Sequence, residues 1–205
     1  MRARLGAFVA LGLLAPMLSG CWHVPPEAIW RLRKVDMLQL DPGSLRLAAR
    51  TPDWLEAQPG SAMAKLFLQS GEGPEQEIDA RLQEGATVAE LRDLARGRAP
   101  GTHFLVFRIA AADAARLRAV QASARQAKAQ NPGRSGGIRI KLEAKGCRRG
   151  DPPAGPAIAD LYLSLGEGEA FFKVYQELDL SEMHGEGATF RDETPLCGKL
   201  AQKAL

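Results

Sequence analysis

The sequence contains few cysteines and histidines, the side chains that most often bind transition metals. There are three of each. The densest mixed group is His184, Glu186, Asp192 and Glu193, where imidazole and carboxylate ligands could gather around a metal. No helical or strand spacing fixes their geometry, and no Cys-x-x-Cys or spaced-histidine pattern accompanies them. We therefore expect a solvated acidic loop there, and neither a metal nor another cofactor.

Motifs that define the common enzyme classes are absent from the sequence. It contains no Gly-x-Ser-x-Gly nucleophile elbow. It also lacks His-Glu-x-x-His, a phosphate-binding loop and a dinucleotide-binding glycine motif. We expect a protein that is not an enzyme. A lesser alternative is an envelope hydrolase that uses acidic residues of 151–193, because paired carboxylates need only spatial proximity.

Cys21 ends an apolar run that follows a basic start. Two arginines precede the almost wholly apolar residues 5–18, and two small residues come just before the cysteine. This order is typical of a secretory signal peptide. The apolar run is also shorter than the roughly 20 residues that a transmembrane helix needs. We predict that residues 1–20 are a signal peptide.

The residues Leu18-Ser19-Gly20-Cys21 resemble the lipobox of bacterial lipoproteins. The resemblance implies cleavage before Cys21 and acyl chains, such as palmitate, on its sulfur and new amino group. Those chains would anchor the protein, since each buried methylene contributes roughly 0.8 kcal/mol. In well-studied Gram-negative bacteria an Asp after the cysteine retains a lipoprotein in the inner membrane. Trp22 stands here instead, so the resemblance implies the periplasmic side of the outer membrane.

Prolines follow the anchor and favour an extended backbone. We therefore predict a tether over residues 21–27 and a single β-rich periplasmic domain over 28–205, whose first part, 28–40, is extended. The tryptophans lie in the N-terminal quarter of the chain. Trp22 suits the membrane interface, and Trp54 is expected to cap the core or lie at a rim.

Cys147 and Cys197 remain as a pair once Cys21 is lipidated. An oxidising compartment favours a disulfide between them. The bridge would close a loop of about 50 residues, for which loop entropy gives about 4 kcal/mol of stabilisation. The alternative is two free thiols.

The charge of the chain is nearly balanced but unevenly distributed. The formal net charge is +3, which excludes a globally basic nucleic-acid binder. Residues 111–150 hold ten basic and two acidic side chains, whereas 151–205 hold four basic and ten acidic. We expect the two segments to lie side by side and neutralise each other. The alternative is a basic face for an anionic envelope component, formed by Arg116, Arg118, Arg125 and Lys128.

Hydropathy alternation predicts an antiparallel sheet. The predicted strands cover 44–50, 62–69, 75–82, 102–109, 137–145, 157–165 and 170–180. The fourth is apolar on both faces, which favours a central position. A capping box at Thr87 and Glu90 predicts a short helix, and a long one is expected over 112–130. The fold class is therefore α+β, mainly antiparallel β, as sandwich-like sheets with one long and one short helix alongside.

Two segments share a pattern of strand, Gly-Glu-Gly turn and strand. Each is preceded by an alternating strand, so Leu45 lies 21 residues before Leu66, and Ile140 lies 21 before Leu161. We therefore predict an internal repeat, 44–82 and 138–180, of two three-stranded meanders.

We expect from these features a non-catalytic, lipid-anchored periplasmic protein that serves as an interaction or envelope-maintenance module. Its partners would be the membrane and an envelope protein. The alternative is a binding module for an anionic glycolipid through residues 112–145. No nucleic-acid partner is expected.

Overall fold

The computed structural model of the chain, which describes residues 23–70, 75–131, 136–183 and 190–198, has an α+β fold. Its strands are β1 (Arg46–Pro52), β2 (Leu55–Ala57), β3 (Met63–Ser70), β4 (Gln76–Glu84), β5 (Thr102–Ile109), β6 (Gly136–Glu143), β7 (Gly146–Arg148), β8 (Ile158–Ser164) and β9 (Phe172–Asp179). Its α-helices are α1 (Pro26–Leu32), α2 (Val88–Leu94), α3 (Ala111–Gln130) and α4 (Phe190–Glu193). The predicted fold class is confirmed.

Seven of the strands form one curled antiparallel sheet, in the order β6-β3-β4-β5-β1-β8-β9. The two short strands, β2 and β7, pair separately. The strand predicted to be central, β5, is the middle strand of the large sheet. Its two apolar faces fit this position, because a middle strand can be covered on both sides.

The two predicted helices form where their sequence signals lie. At the start of α2, the Thr87 hydroxyl accepts a hydrogen bond from the Glu90 amide at 3.2 Å, and the Glu90 carboxylate accepts one from the Thr87 amide at 2.7 Å. This is the predicted capping box. Helix α3 begins one residue earlier than predicted. Within the described residues, no helix is long and apolar enough to cross a membrane.

The two faces of the large sheet carry different layers. We call the face with Phe107 the inner face; Leu117 of α3 packs there. The opposite, outer face packs Val106 and Tyr162 against Leu94 of α2. The second layer on the inner face therefore consists of α3, the β2–β7 pair and α4, rather than a second large sheet.

The predicted meanders are wrong in their strand pairing. β1 does not pair with β3; it pairs with β5 and β8. β6 pairs with β3. Each first strand thus lies beside the hairpin of the other segment, which gives the groups β6-β3-β4 and β1-β8-β9. Alternation fixes which face a strand buries but not which neighbour it takes. The repeat of 44–82 and 138–180 stays a prediction.

The predicted extended segment and tether are wrong near the N-terminus. Helix α1 begins at Pro26 and has proline at its first position, where the missing N–H costs nothing and the fixed φ suits a helix. His23 is already bound to the sheet, because the Gln176 amide of β9 donates to its carbonyl at 2.8 Å. The domain therefore begins by residue 23 rather than 28.

A buried carboxylate joins three strands on the outer face. Asp160 of β8 is 1% exposed and forms ion pairs with Arg50 of β1 and, at 2.9 Å, with Lys173 of β9. It also accepts the Glu177 amide at 2.8 Å. Glu177 has a φ of 53°, a left-handed conformation that is uncommon for a residue with a side chain. The hydrogen bond to Asp160 stabilises this conformation, and β8 and β9 shift register in the same region.

Candidate ligand cavity

A partly open cavity of about 740 Å³ lies on the inner face of the large sheet. Strands β5, β1 and β8 form its floor, because alternation points every second side chain of each strand to the same face. Ala49 of β1 lies between its cross-strand partners, Leu105 of β5 and Leu161 of β8. The floor is therefore aliphatic.

Small side chains keep this space open. Ala49, Ala57, Ala62 and Ala159 all line the cavity, and a leucine at any of them would occupy part of it. Protein interiors are normally close-packed, with few voids larger than a water molecule. The volume lies within the range of small-molecule sites, roughly 300–1,000 Å³. The cavity is therefore large enough to be a binding site.

The cavity is covered by the β2–β7 pair and by residues 190–198, which we call the C-terminal segment. Leu55 of β2 and Thr194 meet over Gly146 of β7. A Cβ atom at Gly146 would lie 3.2 Å from Leu55 Cδ1 and 3.4 Å from Thr194 Cγ2. Glycine at this position thus allows the β2–β7 pair and the C-terminal segment to pack closely.

A disulfide holds this cover together. Cys147 of β7 and Cys197 are bonded, with their Cα atoms 5.0 Å apart, which confirms the predicted pairing. Beside them, the Arg148 amide donates to the Pro195 carbonyl at 2.9 Å, and the Arg148 Nε donates to the Thr194 carbonyl at 3.0 Å. The C-terminal segment is therefore attached to β7 both covalently and by hydrogen bonds.

Trp54 supports the same cover from the sheet side. Its ring meets Phe190 edge-to-face, with the centroids 6.0 Å apart and the planes at 82°. Its carbonyl accepts a hydrogen bond from the Arg149 amide at 2.7 Å. Edge-to-face aromatic pairs contribute about 0.5–1.5 kcal/mol beyond their buried area. Trp54 therefore packs against a residue of the cavity cover, Phe190.

One hydroxyl in the cavity wall has no hydrogen-bond partner among the residues that the structure describes. Thr51 is 5% exposed and lines the cavity, and its Oγ1 makes no hydrogen bond within the described part of the chain. A buried polar group without a partner costs about 1–3 kcal/mol. A ligand that offers a hydroxyl or carbonyl group to Thr51 would remove that cost.

Further polar side chains lie close to Thr51. His103 faces Thr51 across the β1–β5 ladder, and neither of its ring nitrogens has a hydrogen-bond partner among the described residues. Asp53 lies 3.6 Å from His103 Nδ1, too far for a hydrogen bond. Burial and the nearby charge of Glu56 raise the pKa of the Glu84 carboxyl, although His103 opposes the rise. Of these polar residues, Thr51 and Glu56 line the cavity itself.

Three of the four basic residues considered for anion binding are engaged within the chain, and two of them, Arg116 and Arg118, bind carboxylates. Arg116 binds the Asp79 carbonyl and pairs with Asp113 at 3.0 Å. Arg118 donates to the Asp41 carboxylate at 2.8 Å. This hydrogen bond is the main reason that the pKa of Asp41 lies below its ordinary value. These arginines thus connect α3 to the loop that precedes β1 and to β4.

The other two differ from each other. Arg125 donates to the Leu38 carbonyl, beside Gln121, whose side-chain amide donates to the carbonyls of Met37 and Leu40 at 2.8 Å. Lys128, one turn further along α3, is exposed. Three of the four candidates therefore hold the segment around residues 36–41 or β4 against α3.

The expected neutralisation of residues 111–150 by 151–205 is wrong in its main pairings. Among the described residues, three cations of the basic segment pair with acids that precede residue 80: Arg118 with Asp41, Arg139 with Glu75 and Arg149 with Glu56. Two more pair within the segment itself, Arg116 with Asp113 and Lys141 with Glu143. Arg148 and Asp151, 2.9 Å apart, do join the two segments. The sheet order explains this result, since β6 lies beside β3 rather than beside β8 or β9.

Several residues singled out in the sequence lie outside the described residues, namely Cys21, Trp22, His184 and Glu186. Asp192 and Glu193 line the cavity at its cover. Within the described residues, no group of three or more His, Cys, Asp or Glu side chains could hold a metal ion.

Neither the cavity nor the position of Thr51 in its wall was predicted from the sequence. A signal for both was present in β1, where Leu47, Ala49 and Thr51 alternate onto one face. A small and a polar residue on a face that should bury large side chains indicates a gap in the packing.

No protein-family model matches the chain, and comparisons with curated proteins and with solved structures gave no match.

Proposed function

We propose that this chain is a non-catalytic lipoprotein, anchored through Cys21 on the periplasmic side of the outer membrane, and that its cavity binds the acyl chain of a lipid. The lipobox-like residues 18–21 support the anchor. The cavity supports the choice of ligand. The proposed role is therefore to hold or hand on a lipid within the envelope.

The observation that carries this proposal is a mainly apolar cavity of about 740 Å³, which Glu56, Glu143 and Lys145 also line. In its wall, the Thr51 hydroxyl has no partner among the described residues. At roughly 30 Å³ for a group the size of a water molecule, the cavity has room for about two dozen such groups. That is enough for one chain of a membrane lipid. Thr51 would meet the ester carbonyl or hydroxyl group at the polar end of that chain.

The energetics of such a complex are favourable. Each methylene taken out of water contributes about 0.8 kcal/mol, so ten buried methylenes contribute about 8 kcal/mol. A free energy of this size corresponds to a Kd near 1 μM. Lost translational and rotational freedom reduces the affinity, whereas a longer buried chain increases it.

Binding of an anionic ligand to α3 has less support. Three of its four candidate side chains already bind carbonyl or carboxylate groups of this chain. An anion would have to displace these contacts before it could bind. The cavity needs no such rearrangement.

We expect Ala49→Phe to weaken acyl-chain binding at least about tenfold, which corresponds to about 1.4 kcal/mol. The new ring would lie between Leu105 and Leu161 and occupy the floor of the cavity. Binding is measured by titrating cis-parinaric acid, a fluorescent long-chain fatty acid, into residues 21–205 with Ala in place of Cys21, purified without detergent.

Val88→Phe is the matched control, because Val88 is 74% exposed on α2 and receives a ring of the same size outside the cavity. It should bind cis-parinaric acid like the parent chain. Equal affinity in Ala49→Phe and Val88→Phe, or no saturable binding to the parent chain, would contradict the proposal.

A further inference from the structure

The beginning of the domain is fixed to the edge of the large sheet. His23 Nδ1 lies 3.0 Å from the Gln176 carbonyl of β9, and the Gln176 amide donates to the His23 carbonyl at 2.8 Å. His23 is only two residues after Cys21. Because a residue spans at most about 3.6 Å, an acylated Cys21 would hold this edge of the sheet within about 7 Å of the lipid.

Helix α1 follows at once and turns apolar side chains outward. Ala28 is fully buried, and Trp30, two residues later, lies about 200° further round the helix. Trp30 therefore points away from the domain and is 62% exposed, and Ile29 beside it is 47% exposed. Tryptophan is enriched at membrane–water interfaces, where its ring has both apolar and polar surroundings.

One basic side chain contacts this tryptophan, and two more stand near it in the sequence. Lys34 Nζ lies 3.5 Å from the centroid of the Trp30 ring. Arg31 lies over the ring of Phe172 on β9, 4.9 Å from its centroid, and pairs with Glu27. Arg33 is exposed. Near an anionic membrane surface each Lys or Arg contributes about 1 kcal/mol.

We propose that α1 and the adjoining β9 edge form a membrane-contact surface that holds the domain in one orientation on the bilayer. This inference rests on the proposed anchor at Cys21. Trp30 and Ile29 enter the interface, and Arg33 and Lys34 contact lipid phosphates. β6 forms the other edge of the large sheet and faces away from the membrane.

The orientation is tested with tryptophan fluorescence of the full lipidated protein. Trp22→Phe and Trp54→Phe leave Trp30 as the single reporter. The protein is placed in vesicles of phosphatidylethanolamine and phosphatidylglycerol whose acyl chains are brominated, because bromine quenches nearby tryptophans. We expect quenching to remove about half or more of the Trp30 emission, as for an indole at the interface.

The matched control moves the reporter to the opposite edge. In the same background, Trp30→Phe is combined with Ile140→Trp, since Ile140 is an exposed apolar residue of β6. This reporter should lose little emission. An intact mass with acyl chains but equal quenching of both reporters, or of neither, would overturn the orientation and leave the anchor intact.

The same sample also tests the premise. An intact mass without acyl chains would overturn both the anchor and this inference. Loss of fatty-acid binding in the cis-parinaric titration concerns the cavity alone. The three failures are therefore distinguishable.

Discussion

Asp160→Asn is expected to destabilise the fold by about 3–5 kcal/mol, the cost of removing one partner from a buried ion pair. Asparagine has nearly the same shape and can still accept the Glu177 amide. It leaves the positive charges of Arg50 and Lys173 facing each other without a counter-charge. The free energy of unfolding is measured by urea titration at neutral pH.

The pH dependence of the same variant supplies the sharper test. Burial alone would raise the pKa of Asp160, but the hydrogen bonds from Lys173 and the Glu177 amide, together with the charge of Arg50, bring it below its ordinary value of 3.8. A carboxyl whose pKa is lowered in the folded state stabilises the fold above its unfolded pKa. That contribution is lost as the pH falls through the folded pKa. The difference between wild type and Asp160→Asn should therefore be constant near neutrality and shrink below about pH 3.9.

Asp151→Asn is the control for charge removal at the surface. Asp151 pairs with Arg148 and Arg191, but its side chain is largely exposed. Exposed ion pairs contribute about 0–1 kcal/mol. Equal losses in Asp151→Asn and Asp160→Asn would show that burial of the Asp160 network has no special role.

Replacing both Cys147 and Cys197 by alanine is expected to cost about 4 kcal/mol. The bridge closes a loop with a sequence separation of 50, and its loss restores the entropy of the unfolded chain. The Arg148 hydrogen bonds and the Trp54–Phe190 contact remain to hold the C-terminal segment. Thermal and urea unfolding measure the loss, and amide hydrogen exchange shows whether residues 190–198 become less protected.

Reduction of the wild-type protein is the matched comparison. A thiol reductant should lower the stability of the wild-type chain towards that of the double-alanine variant and leave the variant unchanged. A double variant within about 1 kcal/mol of wild type would mean that the disulfide constrains little of the unfolded ensemble. Faster exchange spread evenly over the chain, rather than concentrated in residues 190–198, would contradict its role in holding the cover of the cavity.

The seven strands of the large sheet and the helices α2 and α3 could be predicted because their signals are local. Alternation such as that of Ile140 and Leu142 in β6 depends only on the chain near it. The capping box at Thr87 likewise depends on two residues three positions apart. The disulfide could be predicted because the sequence has three cysteines, and assigning Cys21 to the anchor leaves Cys147 and Cys197 as the pair.

The elements that escaped prediction depend on distant contacts or conflicting signals. Strands β2 and β7 are three residues each, too short for a pattern, and form against each other. Pro25 and Pro26 favoured an extended chain, although proline also suits the first residue of a helix. The pairing of β1 with β8 and of β6 with β3 preserves the face that each strand buries, so alternation could not reveal it.

The cavity follows from where small residues meet. Ala49, Ala62 and Ala159 belong to strands or loops far apart in the sequence, and each alone is an ordinary core residue. They create a void only because the sheet order brings them to one part of the inner face. Thr51 likewise lacks a hydrogen-bond partner among the described residues because its side chain faces this cavity. That surrounding depends on distant strands and could not be predicted from the residues next to Thr51.

Native mass spectrometry shows whether the cavity holds a lipid chain. The parent chain for this measurement carries Ala in place of Cys21 and a cleavable secretory signal in place of residues 1–20, and it is purified with its Ala49→Phe derivative from the native host without detergent. We predict that the parent chain carries one additional lipid mass that dissociates on activation, and that Ala49→Phe carries none. A parent chain without bound lipid, or equal lipid occupancy in the two proteins, would contradict it.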